Sequence, residues 1–141
     1  MIIDATDLIV GRLATVVAKK TLLGESFDII NCENAIMTGN KASILKDRKQ
    51  LRDRGTPTAG PYYPTVADRI VKRVIRGMLP YKVERGRAAL SRIKCYRGVP
   101  VSLQGKDVTK LPELEGAKAS KLPNQKFTTI GQVAKTLGAK A

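Results

Sequence analysis

The chain has 141 residues, 43% of them hydrophobic, with 26 Lys and Arg against 12 Asp and Glu and a formal net charge of +14. That length suits one folded domain with appendages, burying roughly two thirds of the unfolded surface, and the lack of any apolar run of about 18 residues or of a basic-then-apolar leader speaks against a membrane span or a secretory signal. Histidine is absent, which removes the commonest general base and metal ligand. Cys32 and Cys95 stand outside any C-x-x-C pair, so reduced buried thiols are expected, and no metal site, cofactor or enzyme active centre.

Residues 1–5 read as a short buried strand. A helix is expected over about 10–23, where Leu13, Ala14, Val16, Val17 and Ala18 make a broad apolar surface, Lys19 and Lys20 suit the C-terminal dipole, and Gly24 stands at the stop. Residues 27–32 read as a second strand, and 34–37 as its continuation or a third short strand. Strand, helix, strand outlines a right-handed parallel crossover and so an α/β fold.

A second helix should open at Asn40, a suitable N-cap, and run to about residue 54 before Gly55. Lys41, Arg48 and Arg52 recur along one side of it while Ile44, Leu45 and Leu51 can reach the core. Solvation explains such a face as readily as contact with a polyanion. The string Gly39-Asn40-Lys41-Ala42-Ser43 is no phosphate loop, because that motif needs an adjacent Gly-Lys pair and here Asn40 intervenes.

Residues 55–64 hold three prolines and two glycines, which excludes helix and central strand and makes a stiff loop. Tyr62 and Tyr63 sit there side by side between two basic helices. Each ring either stacks on an unpaired base or sugar edge, or packs down on its own domain.

The sharpest pattern lies at 66–78. Arg69, Lys72, Arg73 and Arg76 fall at i, i+3, i+4 and i+7, one narrow stripe, and Val66, Ile70, Val71, Val74, Ile75 and Met78 take the opposite side. A face that is merely solvated usually mixes signs, whereas this one has no acid after Asp68, which suits the helix N-terminus. Phosphate binding is the expectation for this stripe. Gly77 and Pro80 end the helix; a short helical run at 88–90 leads to a strand at 93–96 with Lys94 outward. From Gly98 the chain is Lys-rich and poor in apolar clusters, so it should wrap along a surface. Thr129 with Gln132 is a capping box, and Ile130, Val133, Ala134 and Leu137 then form an apolar stripe. That terminal helix needs a groove, on its own domain or on a neighbour.

Charge is concentrated. Ten of the eleven arginines and sixteen of the Lys and Arg lie between Lys41 and Arg97, opposed only by Asp47, Asp53, Asp68 and Glu84. Such a stretch repels itself unless a polyanion neutralises it, and arginine's planar fork grips phosphate oxygens in pairs. With Arg54, Lys82, Arg85, Arg87 and Arg97, the cations and tyrosines already named make up the expected RNA-binding set.

The strings Asp4-Ala5, Val10-Gly11-Arg12-Leu13-Ala14, Asn31-Cys32-Glu33-Asn34-Ala35 with Thr38-Gly39-Asn40-Lys41, Arg76-Gly77-Met78-Leu79-Pro80, and Tyr96-Arg97-Gly98 with Pro100 follow the order found in the large ribosomal subunit protein L-thirteen family, which the first hundred residues resemble. Gly60-Pro61-Tyr62-Tyr63-Pro64 is similar to archaeal and eukaryotic members, and the lack of a long C-terminal extension points to the archaeal type. The resemblance implies a three-layer α/β/α domain with a small, mainly parallel four-stranded sheet, which the chain divides as a domain over 1–97 and, from its own composition, an extended basic tail over 98–141 ending in a short helix. It also implies a structural, cytoplasmic component of the large ribosomal subunit that binds its rRNA, helps its assembly and touches neighbouring ribosomal proteins, without a small-molecule substrate. The alternative is a non-ribosomal RNA-binding or translation-regulatory protein, which composition alone does not exclude.

Overall fold

The structure is a computed structural model and describes residues 1–56 and 58–139. Strand β1 (Ile2–Asp4), helix α1 (Val10–Leu22) and strand β2 (Phe27–Ile30) form the expected crossover, with β1 and β2 parallel and Ile3 opposite Ile29. After β3 (Ile36–Thr38) come three helices, α2 (Lys41–Asp53), α3 (Ala67–Gly77) and α4 (Glu84–Ser91), and then β4 (Ile93–Cys95). Strand β4 lies parallel on the other side of β2, giving the order β1-β2-β4.

Alternation within the strands decides what the sheet buries. Ile3, Phe27, Ile29 and Ile93 are all but inaccessible and share one core with Leu13 and Val17 of α1, Ile70, Val71 and Ile75 of α3, and Ala89 of α4. Both crossovers step the same way across the sheet, so their right-handedness brings α1, α3 and α4 to one face, and α1 packs against both of the others. Each fully buried Ile or Phe contributes roughly 1.5 to 3 kcal/mol.

The parallel sheet has three strands where four were expected. Residues 34–37 do supply a strand, but it leaves that sheet: Asn31 takes a left-handed φ of 54°, and the single 3-10 turn Cys32–Asn34 swings the chain away. Strand β3 then pairs antiparallel with β5 (Phe127–Thr129), with Ile36 opposite Thr129. No strand was expected there, because Phe127–Thr129 leads straight into the Thr129 capping box and its pairing with β3 depends on residues some ninety positions away.

Thr129 caps helix α5 (Ile130–Thr136) as its capping position suggests, its hydroxyl accepting the Gln132 N–H at 3.3 Å. The groove this helix needs is on its own chain. Ile130, Val133, Ala134 and Leu137 are buried, and the helix packs against α2, α3 and the turn Cys32–Asn34. Between β4 and β5 the chain wraps around the domain. Thr109 N–H donates to Ile2 O at 2.8 Å on the free edge of β1, Ile9 N–H to Ala117 O at 2.8 Å, and Ala119 N–H to Asp7 O at 2.9 Å; the Arg12 guanidinium donates to Gly116 O and Lys20 pairs with Glu113 at 3.6 Å. An edge strand is thereby given partners from its own chain.

Helix boundaries follow local chemistry. The Asn40 side chain accepts the Ala42 N–H at 3.1 Å and starts α2, yet α2 has no fully buried residue, and Ile44, Leu45 and Leu51 are only half-buried. Met78, expected on the core side of its helix, is 43% exposed. It falls one residue past α3, where its N–H closes the last turn on Ile75 O at 3.0 Å and the backbone bends away from the core. Gly86 lets this bend close. A Cβ there would lie 2.1 Å from Pro80 O, so only glycine allows the turn at 80–83 to rest on the start of α4. Cys32 and Cys95 remain free, and the fold brings their side chains together; the hydrogen bond with Cys95 and then burial push the Cys32 thiol far above its ordinary range.

Candidate nucleic-acid interface

Helix α3 is built as its period predicts. Ala67, Ile70, Val71 and Ile75 are buried and Val74 half-buried, while Arg69 and Arg73 are exposed and Lys72 and Arg76 half-exposed on the other side. The loop at 55–64 runs back beside this face. Gly55, at φ 87°, sits so close to Gly60 that a Cβ would meet the Gly60 carbonyl oxygen at 2.0 Å. Gly60 N–H closes on Thr56 O at 3.1 Å, and the Gly60-Pro61 peptide is cis. Pro57 lies outside the described residues.

The result is a groove of about 430 Å³ bordered by Tyr62, Tyr63, Pro64, Arg69, Lys72, Arg73, Arg76 and Leu90. Six residues of the expected set therefore meet in one concavity. The Arg73 guanidinium stands 5.6 Å from the Tyr63 ring centre, a cation–π distance that steers the cation without neutralising it. Arg48 of α2 joins from an adjoining recess of about 260 Å³ that shares Tyr63, Pro64 and Arg73 with the groove. The two tyrosines differ in burial. Tyr63 is half-buried against Arg73, and Tyr62 is 71% exposed at the rim.

The electrostatics of this face decide its chemistry. Among the described residues the ion pairs are Lys20 with Glu113, Arg52 with Asp53 and Lys118 with Glu115. None of them involves Arg69, Lys72, Arg73 or Arg76. Four cations within two helical turns repel one another, and among the described residues no carboxylate pairs with any of them. An array of guanidinium forks facing a concave surface is suited to the phosphates of a nucleic acid backbone, where each neutralised phosphate also releases counterions.

The remaining members of the expected set lie elsewhere. Arg52 is committed within the chain, with Nη1 donating to Leu137 O at 2.8 Å and Nε and Nη2 each 2.9 Å from Asp53 Oδ1. It covers the last carbonyls of α5, where a cation complements the helix dipole. Lys41 at the start of α2 and Arg54 at its end are exposed, as are Lys82 in the turn after α3 and Arg85 and Arg87 on α4. Arg97 borders a different recess, of about 570 Å³, with Glu33, Asp68 and Lys135. One aromatic neighbour of the stripe lies outside the expected set. The Tyr81 ring lies 4.5 Å under the Arg76 guanidinium, 37% exposed. Its position between the Arg-Gly-Met-Leu-Pro string and Lys82 is the sequence feature that marks it.

Comparison with known proteins agrees with this chemistry. The family model described as "Ribosomal protein L13" matches residues 1–102. The chain belongs to the ribosomal protein L13 family. Over 139 residues it is 44% identical to the large ribosomal subunit protein uL13 of Methanococcoides burtonii, covering 99% of this chain and 98% of the relative. The corresponding protein of Methanosarcina barkeri is 44% identical over 140 residues, with 99% and 98% covered, and that of Haloarcula marismortui 40% identical over 139, with 99% and 91% covered. Similarity to these archaeal members therefore extends well past residue 102, through the segment that carries β5 and α5. In the family's terms, the Arg-Gly-Met-Leu-Pro string is the end of α3 together with the turn that follows it.

Proposed function

We propose that the chain is a structural component of the large ribosomal subunit in the cytoplasm, where it binds large-subunit rRNA and helps the subunit assemble. The observation that carries this reading is the α3 face, four cations with no carboxylate partner among the described residues around a groove walled by tyrosines. Membership of a ribosomal protein family, with relatives named as large-subunit proteins, supplies the particle. Binding is mainly electrostatic, with selectivity coming from the shape of the RNA and its unpaired loops, since the deep major groove of an RNA helix does not admit side chains. The uncommitted outer cations Lys41, Arg54, Lys82, Arg85, Arg87 and Arg97 extend the contact beyond the groove, and neighbouring ribosomal proteins are its further partners. The three-layer arrangement over 1–97 belongs to the same proposal.

A sucrose gradient of cell extract tests the placement, and the chain should sediment with the large subunit. Recovery only in lighter, free RNA–protein particles would overturn that and favour a regulatory RNA-binding role. Affinity for large-subunit rRNA fragments should fall linearly on a log–log plot against salt, with a slope of about −0.7 to −0.9 per phosphate contacted. A slope near zero would leave the cationic face without its assigned role.

A further inference from the structure

We infer that the turn at 78–83 is a second RNA contact of a different kind, a rigid platform on which an unpaired nucleobase stacks against Tyr81. The inference rests on the RNA reading above and shares only Arg76 with the groove. Met78, Tyr81 and Val83 are 43%, 37% and 60% exposed, three large apolar side chains within six residues of a strongly basic chain. Such an apolar patch is normally covered by a partner. Its surroundings say which. Arg76 lies over the Tyr81 ring at 4.5 Å, and Lys82, Arg85 and Arg87 are exposed on the same turn and the helix that follows, against the single acid Glu84 in the first turn of α4. A partner that is both anionic and able to offer flat apolar faces is a nucleic acid strand with unstacked bases. A duplex offers only its backbone and groove edges there.

The turn is also held in shape before any partner arrives. Tyr81 N–H donates to Leu79 O at 2.8 Å, Val83 N–H to Pro80 O at 3.0 Å and Gly86 N–H to Val83 O at 3.1 Å, with Leu79 buried beneath. The Gly86 contact with Pro80 fixes the turn on α4. An aromatic ring on a preorganised turn loses little freedom on binding. The guanidinium over it adds positive charge where the attached phosphates must pass.

The test compares the full chain with Tyr81→Phe, Tyr81→Leu and Tyr81→Ala variants, titrated with a fluorescently labelled oligoadenylate of about a dozen nucleotides and with a blunt RNA duplex of equal phosphate number. Loss of the ring in Tyr81→Leu and Tyr81→Ala should weaken single-strand binding about tenfold and leave duplex binding unchanged, while Tyr81→Phe keeps both. Wild-type affinity in Tyr81→Leu, or equal weakening toward both RNAs in Tyr81→Ala, would overturn the stacking role. If both RNAs bind with steep salt dependence but Tyr81→Ala keeps the single-strand affinity, this inference falls while the phosphate-binding groove stands. Absence of salt-dependent binding to either RNA would bring down both. A readout free of substitution uses purified large subunits. There Tyr81 should photo-crosslink to rRNA, and a crosslink to a protein neighbour instead assigns the patch to protein docking and refutes the inference.

Discussion

Replacing Arg69, Arg73 and Arg76 together with glutamine separates the two faces of α3. Glutamine keeps a helix propensity close to that of arginine, so the backbone should persist, while three guanidinium forks and three of the fourteen net positive charges are removed. On the stability side, the variant loses the contacts of Arg73 with Tyr63 at 5.6 Å and of Arg76 with Tyr81 at 4.5 Å. Exposed cation–π contacts are worth about 0.5 to 1 kcal/mol each. Relief of repulsion along a stripe that has no carboxylate partner opposes that loss. The net change should stay under about 2 kcal/mol, a shift of less than about 10 °C in the melting midpoint for a chain of this size. On the RNA side, each lost phosphate contact removes about 0.7 to 0.9 from the salt slope, so the slope should flatten by roughly 2 to 3. Ile70→Ala should do the reverse. Ile70 is 4% exposed within the core, so the cavity costs about 2 to 5 kcal/mol, with the slope of the folded fraction unchanged. Thermal melts and filter binding across a salt series report the two quantities independently. If the glutamine variant unfolds, yet binds with the original slope whenever it is folded, the arginines serve the scaffold and the phosphate-binding role is refuted.

Gly86→Ala should destabilise the fold by more than about 2 kcal/mol in denaturant melts, since its Cβ meets backbone rather than a movable side chain; an unchanged midpoint would mean that the turn at 80–83 gives way freely. Arg52→Ala should cost about 1 kcal/mol and raise amide exchange selectively in α5, because the Leu137 carbonyl loses its donor, and it should leave the salt slope of RNA binding intact. Asp4→Asn probes the start of the sheet. Burial alone would raise the Asp4 carboxyl, but Thr6 O–H at 2.7 Å, Thr6 N–H at 2.9 Å and Asn31 Nδ2 at 3.1 Å outweigh it and hold the group below its ordinary value of 3.8. A depressed carboxylate stabilises the fold above the unfolded value and stops doing so as pH falls through the folded one. The variant should therefore be less stable by up to about 1 kcal/mol at neutral pH, solvent screening keeping the figure small, and the gap should close below about pH 3.8. A gap that is constant with pH would trace the effect to shape rather than charge.

The parts of the fold legible in the sequence are those fixed by neighbours along the chain. The periodicity of α1 and α3, the Asn40 cap and the Thr129 capping box each depend on residues within a turn or two, and each appears where local chemistry places it. What was not legible depends on partners far apart in sequence. Strand β3 could have continued β2, and only the left-handed Asn31 and a partner some ninety residues downstream in β5 take it out of the parallel sheet. Met78 matches the apolar period of α3, but the helix ends one residue too soon for that period to apply.

The candidate RNA-binding face shows the same division more sharply. The stripe Arg69, Lys72, Arg73 and Arg76 was readable because one helix carries it whole and its period is intrinsic to that helix. The groove was not, since it needs Tyr63 and Pro64 from a loop and Leu90 from α4 to close around those cations. Arg52 makes the opposite case. By spacing it belongs with Lys41 and Arg48, yet the α5 carbonyl that takes up its Nη1 comes from the far end of the chain. Charge pattern alone marks which side chains a polyanion is able to reach. The fold settles which of them are taken up inside the chain, as Arg52 is, and it gathers the α3 stripe beside Tyr63 into one groove.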